Sequence, residues 1–331
     1  MKTSAALAVR TVIPLAVALL ALCRTWAWAT DWPQYRGPLT DGSSPDLIAT
    51  TWATNSPGFV VWTNRSLTNG LGSFAVSQGR AFTQISKDDG QGNLLEYCVA
   101  VDAATGTNIW ATPIDTAQQW DPSYNSNGGD GTAPYNTGDG PRTTPSVKDG
   151  RVIAFSGVYY GLMNLVCMNF TNGSVLWSNE LVSAYGASTI GWDNAASPCL
   201  DNDLVFVNLN SSSNNKNLAA FRVADGSLAW SSQNENVTHT TPIVATIQGV
   251  RQVIFATQTG LVSLDRTTGA FLWKFTYPFS AISTSMGASP VVYSNIVYCT
   301  AAYNRGAVAV QLALSNSTWT ATQLWYKNNA A

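Results

Sequence analysis

AVDAATGTNIW, the stretch from Ala100 to Trp110, decides the fold because the chain repeats it. CMNFTNGSVLW (Cys167 to Trp177), AFRVADGSLAW (Ala220 to Trp230) and SLDRTTGAFLW (Ser263 to Trp273) follow the same plan, and a degenerate fifth copy ends at Trp325. Each clear copy reads as a β-hairpin. A short alternating run leads into a D-x-x-T-G or x-D-G turn, where Gly106, Gly173, Gly226 or Gly269 can take the positive φ of a tight turn, and a second strand then ends in tryptophan. Repetition at this scale fixes architecture before any single residue is interpreted.

A second unit precedes each hairpin: TPSVKDGRVIAFSG from Thr144, SPCLDNDLVFVNLN from Ser197, TPIVATIQGVRQVIFATQ from Thr241 and SPVVYSNIVYCTAA from Ser289. SFAVSQGRAFTQIS from Ser73 belongs to the set without its proline. Pro145, Pro198, Pro242 and Pro290 suit the head of a strand, where no N–H is owed to the ladder. Two hairpins make four strands, and the terminal tryptophans are 67, 53, 43 and 52 residues apart. That is the period of propeller blades, about 40–50 residues with insertions. The expectation is an all-β propeller with five blades at 73–112, 144–179, 197–232, 241–275 and 289–327, and no helical periodicity in the mature region. A β-sandwich would not demand the same Trp and Gly spacing in every repeat.

FVVW, ending at Trp62, reads as the outer strand of a blade whose other strands lie elsewhere. The sequence stops just after the repeat-ending Trp325. A ring of seven or eight blades would need about 90–140 further residues, so the expectation is a C-terminally truncated propeller.

The N-terminus reads as a leader over residues 1–29. Lys2 and Arg10 precede an apolar stretch too short to span a bilayer, and Ala27-Trp28-Ala29 suits signal-peptidase cleavage before Thr30. Residues 30–58 form a leader segment to the propeller domain at 59–331. Leu20-Ala21-Leu22-Cys23 raises lipid anchoring as the alternative, but Leu22 stands where a small residue is expected. Export as a soluble, monomeric periplasmic or extracellular protein is the reading. Charged residues are only 11 % of the chain and the net charge is −2, which leaves no basic footprint for nucleic acid. Cys98, Cys167, Cys199 and Cys299 fall in strands of different blades and match no metal or haem spacing; they are expected to be buried and reduced.

These repeats resemble the tryptophan-docking motifs of the pyrroloquinoline-quinone (PQQ) β-propeller superfamily. DWPQYRGPLTDG, Asp31 to Gly42, looks like the leader of exported bacterial members, and Gly140-Pro141-Arg142-Thr143-Thr144-Pro145 resembles the start of their second full blade. The resemblance implies that Trp62, Trp110, Trp177, Trp230, Trp273 and Trp325 are pegs packed between blades. It leaves activity open, because the superfamily holds quinoprotein dehydrogenases as well as non-catalytic propellers, including the lipoprotein of the outer-membrane β-barrel assembly machinery.

A quinoprotein dehydrogenase needs a quinone clamped between apolar faces, a Ca²⁺-like ion on oxygen ligands and a carboxylate base. Dehydrogenases of this superfamily typically carry vicinal cysteines. This chain has none, and Asp102, Asp225 and Asp265 belong to turns. No catalytic or metal-binding residue is therefore assigned. The expectation is a non-catalytic platform for a protein partner or small ligand, with a PQQ-dependent alcohol or sugar dehydrogenase as the alternative and an outer-membrane assembly factor as the second. The ligand-facing candidates are Trp120, Asp121 and Arg142 on the long Asp115–Arg142 connection, and Trp192 on another. A solvated connector and packing aromatics are the plainer readings, since the acidic spacing matches no calcium loop. His239, the one histidine, has no partner motif and reads as a loop residue.

Overall fold

A computed structural model describes residues 30–47, 51, 60–117, 140–157, 162–188, 190, 194–211, 216–282 and 285–328. Twenty strands form five four-stranded antiparallel sheets, and each sheet takes its strands in chain order. Blade 1 comprises β1 (Ala75–Ser77), β2 (Arg80–Asp88), β3 (Leu94–Asp102) and β4 (Asn108–Thr116). Blade 2 comprises β5 (Ser146–Lys148), β6 (Arg151–Phe155), β7 (Asn164–Asn169) and β8 (Val175–Glu180). Blade 3 comprises β9 (Cys199–Asp201), β10 (Leu204–Asn208), β11 (Leu218–Arg222) and β12 (Leu228–Ser232). Blade 4 comprises β13 (Ile243–Ile247), β14 (Val250–Ala256), β15 (Gly260–Asp265) and β16 (Phe271–Thr276). Blade 5 comprises β17 (Val291–Tyr293), β18 (Ile296–Ala301), β19 (Gly306–Ser315) and β20 (Thr318–Lys327). The expected all-β propeller of about five blades in an unclosed ring is thus observed, with each proline directly ahead of its first strand.

The middle strands are apolar on both faces because both faces are covered. On β6, Val152 and Ala154 join a core with Phe82, Cys98 and Ala100 of blade 1. The alternate residues Ile153 and Phe155 join Val205, Val207 and Phe221 of blade 3. Similar cores lie between blades 3 and 4 and between blades 4 and 5. Cys98, Cys167, Cys199 and Cys299 are buried and unbridged. Burial pushes the thiols of Cys167 and Cys299 up to about 12, and raises Cys98 and Cys199 as well.

The tryptophans lock successive blades together, and the glycines make the lock possible. Trp62, Trp110, Trp177 and Trp230 lie over Gly106, Gly173, Gly226 and Gly269 of the following turn, so close that a Cβ there would sit 2.4–2.7 Å from the nearest atom. The indole N–H donates to a carbonyl of that same turn: Ala103 (2.9 Å), Phe170 (3.1 Å), Val223 (2.9 Å) and Arg266 (3.2 Å) respectively. Two residues further on, Asn64, Thr112 and Asn179 donate to the carbonyls of Gly106, Gly173 and Gly226. Asp102 and Asp265 build their turns by accepting from the backbone and hydroxyls of Thr105 and Thr268.

In every blade the register slips by one residue just ahead of the tryptophan, leaving Ile109, Leu176, Ala229, Leu272 and Leu324 unpaired. Such a bulge twists the outer strand and re-aims its side chains.

The pegs are not all alike. Val60–Trp62 takes no strand pairing among the described residues, and Trp62 docks as a peg. Trp273 is packed between blades 4 and 5 as expected, but gives its indole N–H to Gln252 of its own blade at 2.6 Å. Blade 5 offers it no D-x-x-T-G turn, since β19 and β20 meet through Asn316 and Ser317. Trp325 is 45 % exposed, beside Tyr298 on the face of blade 5 turned away from blade 4. A short helix, α1 (Leu181–Tyr185), also interrupts the β-structure; Glu180 caps its first N–H groups and Gly186 ends it in the left-handed region.

Substituting Gly226→Ala should separate docking from turn strain. Gly150→Ala, at φ 75° with open space around it, should cost about 1 kcal/mol for the left-handed backbone alone. Gly226→Ala, at φ 74° against the Trp177 ring, should cost about 1–3 kcal/mol more from overpacking. Urea unfolding of the two variants checks the difference.

Candidate functional site at the propeller axis

The first strands of blades 1 to 4 are successive neighbours around the axis. A belt of hydroxyls joins their approaches and explains the Ser or Thr ahead of each proline. The backbone N–H groups of Ser73, Thr144 and Ser197 donate to the side-chain oxygens of Thr144, Ser197 and Thr241 at 2.9–3.0 Å. Ser289 closes toward blade 4 by donating its hydroxyl to the Thr241 carbonyl at 2.8 Å.

Residues 31–42 form a strap across the axis. Trp32 pairs with Val76 of β1 through two 2.8 Å hydrogen bonds, and the Pro33 carbonyl accepts from Val147 of β5 at 2.7 Å. The buried Gln34 amide takes both main-chain groups of Leu200 on β9, at 2.9 and 3.2 Å. Arg36 reaches the Ser289 and Pro290 carbonyls ahead of β17 at 3.0 and 3.3 Å. The strap therefore fastens blades 1, 2, 3 and 5; among the described residues no hydrogen bond joins it to β13. A cavity of about 360 Å³ lies there, between Pro38–Asp41 of the strap and β9, β13 and the Val292–Ser294 turn.

Charges at this end of the axis are balanced in a network. Asp201 accepts from Arg251 at 2.5 and 3.0 Å and from Arg266 at 3.0 Å, and Arg266 also reaches Asp203 at 2.5 Å. Burial works to raise the Asp201 carboxyl, but the two guanidinium groups outweigh it and hold it below the usual range. Asp41, at the cavity edge, is held low by its hydrogen bonds from Ser43.

The opposite end receives the second-to-third and blade-to-blade connections. Here R-T-T-P (142–145) and H-T-T-P (239–242) occupy equivalent positions in blades 2 and 4: Thr143 donates to the Phe155 carbonyl and Thr240 to that of Ala256. Burial first, then the Arg142 charge, pulls His239 down to about 4, so it is neutral at neutral pH. Of the sequence candidates, Arg142 lies half-buried on this face, while Trp120, Asp121 and Trp192 fall outside the described residues. Sequence reasoning missed Gln34, Arg36 and Arg251 as axial residues. The DWPQYRG stretch hinted at Gln34 and Arg36 without saying which blades they touch, and nothing in the sequence pointed to Arg251.

Two buried carboxyl joints brace the same end. Asp115 of β4 accepts from Ser156 of blade 2, and Glu235, which follows β12, accepts from Thr257 of blade 4 at 3.0 Å and pairs with Lys274. Burial dominates at Asp115 and raises its carboxyl to about 6, against the hydrogen bonds from Ser156 and Thr116.

Residues 95–329 match the family described as outer membrane protein assembly factor BamB, and the chain belongs to this family of PQQ-like propellers. The crystal structure of BamB from Moraxella catarrhalis is similar, with 14 % identity and a TM-score of 0.51 over 82 % of this chain and 65 % of that one. So is quinohemoprotein alcohol dehydrogenase from Comamonas testosteroni, with 13 % identity and a TM-score of 0.52 over 90 % of this chain and 49 % of that one. At such identities the likeness concerns the fold, and the chain spans less than two thirds of either structure. No curated protein sequence matches it.

Two outcomes follow. Gln34→Ala leaves the Leu200 N–H and C=O without their partner and should cost about 1–3 kcal/mol in urea unfolding. Asp115, with its folded pKa raised above the unfolded value, contributes stability that is complete below about pH 4 and lost as pH rises through about 6. Asp115→Asn should flatten that part of the stability–pH profile, read by denaturant midpoints from pH 4 to 7.

Proposed function

We propose that this chain is an exported, non-catalytic PQQ-like propeller that presents a rigid surface to a protein partner or small ligand. The observation that supports it most is the employment of carboxylates among the described residues by the fold. Asp102, Asp225 and Asp265 are occupied in turns, Asp201 and Asp203 by arginines, and Glu235 by Lys274. A PQQ site would draw a base and calcium ligands from such groups. The four cysteines lie in blade cores, each raised by burial, and none is placed beside another as a clamp. The described axial residues do not fit the quinone. Its several carboxylates would meet a cavity edged by Asp41 and Asp201, whose cations are already paired. No described helix is long and apolar enough to cross a membrane.

The family description favours one form of this reading, in which the partner belongs to outer-membrane protein assembly. Two measurements test the proposal. Reconstitution with PQQ and Ca²⁺ should give no dye-linked oxidation of alcohols or glucose and no quinone absorbance after gel filtration; stoichiometric quinone with turnover overturns it. Affinity capture from cross-linked envelopes should recover a defined protein partner, and a barrel-assembly component among the captured proteins selects the assembly form.

A further inference from the structure

The strap treats the blades unequally, and the inequality defines a site. Val76, Val147 and Leu200 hold the same position in β1, β5 and β9, the middle residue of each three-residue strand. Each turns main-chain groups toward the axis, and each is met by the strap: Val76 by Trp32, Val147 by Pro33 and Leu200 by Gln34. The direction follows from the ladder. In each blade a two-residue turn is closed by a bonded pair, such as Ser77 with Arg80, and in antiparallel sheets bonded and non-bonded pairs alternate. A residue one or three steps from the closing pair therefore points its N–H and C=O away from its neighbour strand.

Val244 and Val292 are the equivalents in blades 4 and 5, each two residues after its proline. Ile247 closes with Val250 and Tyr293 with Ile296, so the same alternation turns Val244, Thr246 and Val292 outward from their ladders. All three residues line the 360 Å³ cavity. Among the described residues no strap group bonds to their main chain, because Arg36 crosses directly to the Ser289 and Pro290 carbonyls. The strap's far side is itself fixed there: Arg36 holds the Asp41 carbonyl at 2.8 Å and Gly42 returns to the Arg36 carbonyl at 3.0 Å. The gap is thus a bounded slot with strand edge on one wall and a braced loop on the other.

We propose that this slot binds a short extended peptide segment of a partner protein, which pairs with the main chain of Val244 and Val292 and continues across blades 4 and 5 the pairing that the strap makes on blades 1–3. Main-chain pairing to an open strand edge is an established mode of peptide capture, with pockets for alternate side chains supplying selectivity. Ile243 and Leu39 give the slot apolar walls, suited to small aliphatic side chains. This deepens the platform reading and rests on it, but concerns one face only. Partner capture through the opposite face would leave that reading intact if the slot proved empty of function.

The test is an amide-resolved titration of the ¹⁵N-labelled exported chain with acetyl-trialanine-methylamide and with the same peptide N-methylated at its central residue. Saturable shifts are expected at the Val244, Thr246 and Val292 amides, with the N-methylated peptide at least tenfold weaker and the Val76, Val147 and Leu200 amides unmoved. No saturable shift at the three slot amides overturns the proposal. Equal binding of the N-methylated peptide rules out main-chain pairing, and shifts concentrated at Val76, Val147 and Leu200 would show the strap being displaced instead; either result overturns it too.

Discussion

The contact on which the array depends is an indole ring lying on a peptide that has no side chain. Trp110 over Gly173, Trp177 over Gly226 and Trp230 over Gly269 each combine a close apolar stack with a hydrogen bond from the indole to the same turn. Two requirements meet at one glycine. The turn needs a positive φ, and the ring needs the space a Cβ would fill. The bulge ahead of each tryptophan supplies the third element by breaking the strand's alternation where the ring must leave its own sheet. Where the following blade lacks the glycine turn, at Trp273, the indole falls back on Gln252 within its own blade.

Inside this ring of pegs the fastening is polar. The hydroxyl belt through Thr144, Ser197 and Thr241 satisfies backbone donors that would otherwise be buried unpaired near the axis. The strap does the same for the open edges of β1, β5 and β9. The two devices divide the work. The belt ties neighbouring blades, while Gln34 and Arg36 tie blades distant in sequence, bridging more than 160 and 250 residues. The slot beside β13 is what this fastening leaves, so its walls are set by the architecture.

Family membership and fold say less about chemistry than the use of individual side chains does. The same blades occur in an assembly factor and in an alcohol dehydrogenase, as the two similar structures illustrate. Among the described residues, the few charged groups are largely employed by the fold. Carboxylates brace turns, arginines and hydroxyls, and the one histidine is kept neutral by burial and the neighbouring Arg142.

The sequence by itself determined the repeat, the blade boundaries, the turn glycines and the pegs, because these depend on spacing within about a dozen residues. It could not show that Trp62 lies outside the described sheets or that the Trp273 indole bonds within its own blade, since both depend on what another segment offers. It could not reveal that Gln34 meets Leu200 or that Arg36 passes blade 4 to reach blade 5. A hydrogen bond or a charge pair between residues far apart in the chain leaves no period to read. Only the tertiary structure, by closing those distances, decided which strand edges are covered and which one stays open.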